Sequence, residues 1–340
     1  MTASWPELDF LSWRETCAAL HRYAQVVGKY RLARAPWINH SWHATFYVNA
    51  RGLTTSMVPD GPGIEILVDL VDHAVVGSTT SGATARFDLG PMSVAEFHGR
   101  FLELVRSLGG TPKLHGRPNE VADPVPFVED REHRPYDADA VGRFHQALVR
   151  IDGVLKRFCT AFIGKVSPVH LFWGSFDLAV TRFSGRRAPV HPGGIPALPD
   201  EVTREAYSHE VSSAGFWPGG GGPIQYPAFY SYAYPVPAGF AAARVAPAEA
   251  FFDERLGEFL LPYDAVRGSS DPEGALMAFL ESTYRAAAEL GAWDRPALEC
   301  PLGVPRRPRP LASSGAEGTT GNAPKSPPLS NGTTESPASS

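Results

Sequence analysis

The most informative stretch of this sequence lies between His170 and Tyr234. It contains HLFWGSFDLAVTRFSGRR (170–187), SHEVSSAGFW (208–217) and AFYSYAY (228–234). Histidines, charges and hydroxyls are interspersed here among apolar residues, in segments that have the composition of buried strands. A strand used only for packing would consist of Val, Ile and Leu, because an unpaired buried polar group costs about 1–3 kcal/mol. The stretch therefore predicts a sheet that carries a site.

Ten segments of alternating or continuous apolar character predict β-strands. They are residues 41–49, 52–58, 64–71, 74–79, 84–89, 169–176, 178–184, 206–216, 227–235 and 256–263. Several are joined by short turns that contain Gly or Asp, and such turns favour antiparallel pairing.

Four segments, 11–33, 93–108, 137–160 and 272–290, have apolar residues at helical spacing. The second opens with a capping box that begins at Ser93, and the fourth with Asp271 as its cap. Together the elements predict an α+β fold, a mostly antiparallel sheet with helices on one face. Their order suggests two similar helix–strands–helix halves, 5–115 and 136–295, within one globular domain, 1–300.

Composition limits the class of protein. Residues 301–340 are rich in Pro, Ser, Gly and Thr, and we expect a disordered tail there. The net charge of −5 argues against nucleic acid as a partner. No apolar run is long enough to span a membrane and no secretion signal is visible, so we expect a cytoplasmic protein without a membrane partner. The oligomeric state stays open.

The polar residues of the predicted strands are the candidates for chemistry. His170 or His209 would act as a general base, with Asp177 or Glu210 orienting the imidazole. Arg182 would hold an anionic group of the substrate. The candidate ligand-binding residues are His43, Tyr47, Trp173, Arg182, His191, Trp217 and Tyr232.

A metal site is the alternative use of these histidines, because three imidazoles and a carboxylate can hold zinc or iron(II). The sequence has no HxH or HExxH pattern, and its three cysteines have no CxxC spacing. We therefore assign no metal ligand and leave any cofactor open. The glycine run Gly219–Gly222 lacks the Lys-Ser/Thr of a phosphate-binding loop, which favours a flexible loop or a lid.

Five separated motifs resemble one protein family. They are PWINHSWHATFYVNARGLTTS (36–56), SPVHLFWGSFDLAVTRFSGRRAP (167–189), HPGGIP (191–196), EAYSHEVSSAGFWPGG (205–220) and FLLPYDAVR (259–267). Together they resemble an uncharacterised bacterial family, domain of unknown function 5996, from Trp5 to Arg295. The resemblance implies a single domain and a bacterial, cytoplasmic protein. It implies no activity and no catalytic residue.

Three hypotheses for the function follow from these patterns. The leading one is an enzyme that uses histidine acid–base chemistry, with or without a metal, on a small polar or anionic molecule. The second is a non-catalytic protein that binds a small molecule in an aromatic-lined cleft. The third is an assembly protein that uses the aromatic face around Tyr230, Tyr232 and Tyr234 as an interface.

Overall fold

The computed structural model describes residues 5–121, 123–220 and 224–309. One compact unit extends as far as Gly303, and a second unit begins at Val304. The expected tail, 301–340, lies mostly outside the described residues. In its described part, the Gly303 N–H donates to Thr160 Oγ1 at 2.9 Å.

The described residues form seven α-helices and eleven β-strands. The helices are α1 (Phe10–Arg34), α2 (Val94–Ser107), α3 (Ala138–Cys159), α4 (Asp200–Ala206), α5 (Tyr263–Arg267), α6 (Pro272–Leu290) and α7 (Arg295–Leu298). The strands are β1 (Tyr47–Val48), β2 (Gly52–Val58), β3 (Ile64–Asp69), β4 (Ala74–Thr79), β5 (Thr84–Asp88), β6 (His170–Phe172), β7 (Asp177–Arg187), β8 (His209–Trp217), β9 (Ala228–Tyr234), β10 (Phe251–Asp253) and β11 (Glu258–Pro262). None of these helices is long and apolar enough to cross a membrane.

The four predicted helices are confirmed as α1, α2, α3 and α6, each end within one residue of the prediction. Side-chain caps explain this accuracy. Ser93 Oγ accepts from the Glu96 N–H at 3.1 Å, and Asp271 Oδ1 accepts from the Gly274 N–H at 3.0 Å. Both bonds satisfy N–H groups that have no partner inside the helix.

The strands form two antiparallel sheets, which confirms the α+β class. The first sheet has the order β1-β2-β3-β4-β5, and the second has the order β10-β11-β9-β8-β7-β6. The first lies between α1 and α2 in the chain, and the second between α3 and α6. The sheets meet where Phe46 and Leu171 exchange two backbone hydrogen bonds, at 2.9 and 2.8 Å.

The six-stranded sheet has two different faces. Its register places Leu178, Phe216 and Phe229 side by side on one face, all of them buried. Helix α3 packs on β7, and helix α6 packs on β8 and β9. Ala179 and Tyr230 flank Gly215 on the other face, because side chains alternate along a strand.

Two strand predictions were wrong in ways that matter for the site. Only residues 46–48 of the predicted strand 41–49 pair, because His40 and Ser41 are left-handed (φ 61° and 59°) in a short 3₁₀ turn. The predicted strand 169–176 ends at Phe172, where a turn with a left-handed Phe176 (φ 59°) reverses the chain. Asp177 therefore pairs with Phe172 and shares its face. Helix α4 and strand β10 were not predicted.

The packing of α1 yields a first prediction. Alanine in place of glycine inside a helix usually stabilises it by about 1 kcal/mol. A Cβ atom on Gly28 would overlap the indole ring of Trp173, so Gly28→Ala is expected to lower the free energy of unfolding by about 1–3 kcal/mol. Denaturant unfolding measures the change.

The matched control is Gly153→Ala in α3. Gly153 is exposed, and a Cβ atom there meets no atom within 4 Å, so the control should be neutral or stabilising. A Gly28→Ala protein as stable as the control would contradict the close packing of α1 against Trp173.

Candidate active site

A cavity of about 470 Å³ lies on the face of the six-stranded sheet that points away from α3 and α6. Its floor comes from β7, β8 and β9, and its walls come from α1, the turn after β6, α4 and three connecting segments. The floor residues are Asp177, Ala179, Thr181, Phe183, Val211, Ser213, Tyr230 and Tyr232. The wall residues include Lys29, Trp37, His40, Trp42, Asn119, Glu120, Trp173, Ser175, Ile195 and Tyr207.

Helix α1 holds the cavity wall through polar residues on successive turns. His21, Gln25 and Lys29 are four residues apart, so they lie on one side of the helix. Gln25 Nε2 donates to the Asn119 carbonyl at 2.7 Å, and the Asn119 N–H donates to Gln25 Oε1 at 3.0 Å. Lys29 Nζ donates to Asn119 Oδ1 at 2.5 Å. Asn119 belongs to the connecting segment between α2 and α3 (residues 108–137). The side chain of Gln25 thus makes with the backbone of this connecting segment the two hydrogen bonds that a neighbouring strand would make.

Glu120 follows this anchored asparagine with a left-handed backbone (φ 55°). Its carboxyl group lies directly over Gly174, where a Cβ atom would overlap Oε1. The carbonyl of Gly174 is held from the other side by His21 Nε2 at 2.8 Å. Among the described residues no group donates a hydrogen bond to Glu120, although it lines the cavity. The Glu120 carboxyl fits here because Gly174 has no side chain.

The electrostatic environment of Glu120 is unusual for a carboxyl group. Burial and the nearby charge of Asp177 raise its pKa to about 7, while Lys29 acts in the opposite direction. Burial lowers the pKa of Lys29 to about 8, with Glu120 opposing. Both groups therefore change protonation near neutral pH, which is a frequent property of functional sites.

Asp177 is the second carboxyl group of the cavity. It is 5% exposed and accepts hydrogen bonds from the hydroxyls of Ser175 and Tyr230. Burial raises its pKa, and these two hydrogen bonds work against that effect. Tyr230 lies opposite Gly215 in the register of the sheet, and a Cβ atom there would overlap the Tyr230 hydroxyl. The glycine thus leaves room for the tyrosine to reach Asp177.

A row of hydroxyls crosses the floor beside these carboxyls. Thr181 Oγ1 and Ser213 Oγ are 2.9 Å apart, and so are the hydroxyls of Tyr207 and Tyr232. Next to Tyr232 in the sheet, Glu258 Oε2 is buried and has no hydrogen-bond partner among the described residues. Burial and the charges of Asp177 and Asp253 raise the pKa of Glu258 to about 8.

His40 connects helix α4 to the segment between α1 and β1 on another wall of the cavity. The His40 N–H donates to Glu205 Oε2 at 2.7 Å, and His40 Nδ1 lies 2.9 Å from the Ala206 carbonyl. Lys165 Nζ donates to His40 Nε2 at 2.6 Å, so Nδ1 carries the proton and donates to Ala206. Burial lowers the pKa of His40, which keeps the ring neutral.

Three of the residues predicted from the sequence line the cavity. They are Asp177, Trp173 and Tyr232. Trp173 Nε1 donates to the Ala44 carbonyl at 2.7 Å, which directs its indole ring against Lys29, with 5.5 Å between Nζ and the ring centroid.

A second group of predicted residues, His43, Tyr47 and His170, lies around Arg31 outside the cavity lining. The guanidinium of Arg31 lies 5.4 Å from the ring centroid of Tyr47, and its charge lowers the pKa of both histidines. Burial is the larger cause and lowers the pKa of His170 to about 3. A neutral imidazole with so low a pKa is a weak base, so His170 does not suit acid–base work near pH 7.

The side chains of Arg182 and Glu210 make contacts within the fold and do not line the cavity. Arg182 is 1% exposed, donates to the Phe158 carbonyl at 2.6 Å, and lies 3.4 Å from the centroid of the Phe158 ring. It shares a face with Leu178, on the side of the sheet that the helices cover, and therefore cannot reach a ligand in the cavity. Glu210 accepts from Arg186 Nη2 at 2.7 Å and from Ser184 Oγ at 2.8 Å.

The remaining predicted residues surround the floor without lining it. His209 Nδ1 lies 3.0 Å from the Ser208 hydroxyl. His191 Nδ1 accepts from the Gly193 N–H at 3.0 Å, and its ring stacks on Tyr207. Trp217 packs on Tyr230 with 4.5 Å between ring centroids.

The glycine run after Trp217 was predicted to be a flexible loop or a lid. Cβ atoms on Gly219 and Gly220 would overlap the ring of Phe10 in α1, so these two glycines pack closely on that helix. Gly221 and Gly222 lie outside the described residues. The described part of the run is not among the residues that line the cavity.

The central residues of the cavity, Lys29, Asn119, Glu120 and Tyr230, were missing from the predicted site. Lys29 had a usable signal, because it stands four residues after Gln25 in a helix whose other positions from 23 to 31 are buried too. A polar pair at that spacing in a buried stretch of helix needs hydrogen-bond partners. Glu120 had no such signal, since it lies in a Pro-rich connecting segment without periodicity.

Within the described ranges, no group of three or more His, Cys, Asp or Glu side chains is arranged to hold a metal ion. His43 Nδ1 accepts from the Ile38 N–H at 3.1 Å, and His170 Nδ1 lies 3.2 Å from Thr45 Oγ1.

The fold and site define an α+β protein with two antiparallel sheets and an aromatic, carboxyl-bearing cavity on one of them. The profile of a family described as "family of unknown function (DUF5996)" matches residues 5–300. The chain therefore belongs to this family. No curated protein and no solved structure is similar enough to the chain to add a comparison.

The raised pKa of Glu120 predicts a specific dependence of stability on pH. Between the ordinary pKa of 4.5 and the folded value of about 7, the folded state holds a proton that the unfolded state has lost. Ionisation thus costs the wild type about 1.4 kcal/mol per pH unit over this window. The free energy of unfolding of Glu120→Gln minus that of the wild type should rise by up to about 3 kcal/mol from pH 4.5 to 7.

Urea unfolding at a series of pH values measures this difference. Glu129→Gln, which removes an exposed carboxyl of the same connecting segment, is the control. A difference for Glu120→Gln that stays flat with pH, or that rises equally in the control, would contradict the electrostatic account.

Proposed function

We propose that the protein is an enzyme that transfers protons to and from a small molecule bound in this cavity, with Glu120 as the general acid–base. The observation that carries the proposal is the state of the Glu120 carboxyl. It faces a cavity, accepts no hydrogen bond from the described residues, and has a pKa of about 7. A group with this pKa can both accept and donate a proton at neutral pH.

Asp177 and Tyr230 are proposed as the partner of Glu120. The Tyr230 hydroxyl donates to Asp177, and both line the cavity. The charge of Asp177 helps to keep the Glu120 pKa high, so removal of that charge should lower it. Asp177 thus tunes the acid–base group, and the Tyr230 hydroxyl is in reach of a ligand on the floor.

This proposal replaces histidine chemistry by carboxyl chemistry. The two histidines of the described cavity lining are His40 and His115. His40 is occupied by Lys165 and the Ala206 carbonyl, and neither of these histidines was among the predicted catalytic residues. The part of the original hypothesis that is retained is an enzyme that acts on a small molecule.

A second candidate function is ligand binding without catalysis, which the walls of the cavity favour. Trp37, Trp42 and Trp173 line it together with floor tyrosines, and such aromatic surfaces bind flat or apolar groups. The assembly hypothesis has less support, because Tyr230 and Tyr232 line the cavity and form no exposed patch. A cytoplasmic location stays a prediction.

Turnover of small molecules by purified variants tests the proposal. The wild type, Glu120→Gln and Glu129→Gln are incubated with a mixture of cellular metabolites, and changes in each compound are followed by mass spectrometry. Because general acid–base catalysis contributes about 10²–10⁴-fold, Glu120→Gln should convert the substrate slower by that factor. The exposed Glu129→Gln variant should match the wild type.

Two outcomes would overturn the enzyme proposal. One is conversion by Glu120→Gln at the rate of the wild type. The other is a metabolite that stabilises the wild type against thermal unfolding but is recovered unchanged, which would favour the binding protein instead.

A further inference from the structure

The charges that face the cavity are unbalanced. The titratable groups of its described lining are Lys29, His40, His115, Glu120, Asp177, Tyr207, Tyr230 and Tyr232. Lys29 is the one amino group of this described lining, against the carboxyl groups of Glu120 and Asp177. Glu258, whose buried carboxyl oxygen has no hydrogen-bond partner among the described residues, adds a third carboxyl beside Tyr232. Ionisation of Glu120 and Asp177 therefore makes the described lining favour positive charge.

The ammonium group of Lys29 contacts Asn119 and Trp173 and forms no hydrogen bond with Glu120. Lys29 Nζ donates to Asn119 Oδ1 and lies over the ring of Trp173. No hydrogen bond joins it to Glu120, and the Glu120 pKa stays at about 7 despite its presence. Because no described residue donates to Glu120, solvent or a ligand can supply this hydrogen bond.

The walls suit the body of a cationic ligand. The indoles of Trp37, Trp42 and Trp173 line the cavity, and Trp37 is 54% exposed at its edge. Lys165 Nζ already lies 5.2 Å from the centroid of the Trp42 ring, so one wall accepts a cation in this structure. Aromatic faces attract ammonium groups, and the attraction is stronger when water is excluded.

We propose that the cavity recognises an organic cation, a small molecule with a protonated amine that pairs with Glu120 and an aromatic or apolar body that contacts the tryptophans. A carboxylate or phosphate ligand would face the repulsion of Glu120 and Asp177. A neutral ligand would leave an ionised Glu120 with less compensation for its burial. The inference rests on the proposed function, since it names the substrate class of the same site.

The test uses three probes of similar size, 2-phenylethylamine, 2-phenylethanol and phenylacetate, titrated into the full chain by calorimetry. The amine should bind at least about tenfold more tightly than the alcohol, a ratio that corresponds to about 1.4 kcal/mol. Phenylacetate should bind weakest. Glu120→Gln should lose the preference for the amine, and Glu129→Gln should keep it.

Binding of the amine should also release protons near pH 7, because the ionised form of Glu120 is the one that pairs. Calorimetry in buffers of different ionisation enthalpy detects this release, and Glu120→Gln should abolish it. If Glu120 had only a structural role, amine binding would release the same number of protons in the wild type and in Glu120→Gln.

Equal or tighter binding of the alcohol or of phenylacetate would overturn the inference, as would a lack of amine binding at millimolar concentration. The experiments distinguish failure of the enzyme proposal from failure of the organic-cation proposal. Amine binding without turnover of any amine metabolite refutes the enzyme and leaves the cation site. Turnover that needs Glu120 but consumes a neutral or anionic compound refutes the cation site and leaves the enzyme.

Discussion

The pairing of Asn119 with helix α1 is the interaction on which the site depends. Two hydrogen bonds from Gln25 hold its backbone, and Lys29 holds its side chain. The described residues around Glu120 form no helix or strand, so these bonds to α1 position the residue that precedes it. Each bond lies on the buried side of α1, where an unmade bond would cost about 1–3 kcal/mol. This cost keeps Asn119 in place against α1.

The same anchoring carries an electrostatic consequence. Glu120 lies over Gly174, near the charge of Asp177, and is only partly exposed to solvent. Burial of the charged form is unfavourable, so the carboxyl holds its proton up to neutral pH. A protein selected for stability alone would replace such a group by an apolar one. Local conflicts with stability of this kind are expected at functional sites.

The sequence predicted the architecture better than the site, for physical reasons. Helices α1, α2, α3 and α6 were predictable because their periods and caps are local features. The strand 41–49 was mispredicted because its alternating pattern is overridden at His40, whose backbone N–H bonds to Glu205, 165 residues away. Such a long-range contact leaves no local signal in the sequence.

The candidate site shows the same limit. Asp177, Trp173 and Tyr232, which line the cavity, were named because they stand in strand-like segments, where polar residues are unexpected. Arg182 lies on the face that the helices cover, and the pattern does not tell which face of the sheet that is. Glu120 comes to the site from an aperiodic connecting segment, and its role depends on the lack of a side chain at Gly174.

The most direct test of the account is the pKa of Glu120 itself. Carbon-13 NMR of the side-chain carboxyls, with Glu120→Gln to assign the resonance, follows its ionisation in the folded protein. The account predicts a titration midpoint near pH 7. A midpoint near the ordinary value of 4.5 would show a solvated carboxyl and would contradict both the buried acid–base group and the site built around it.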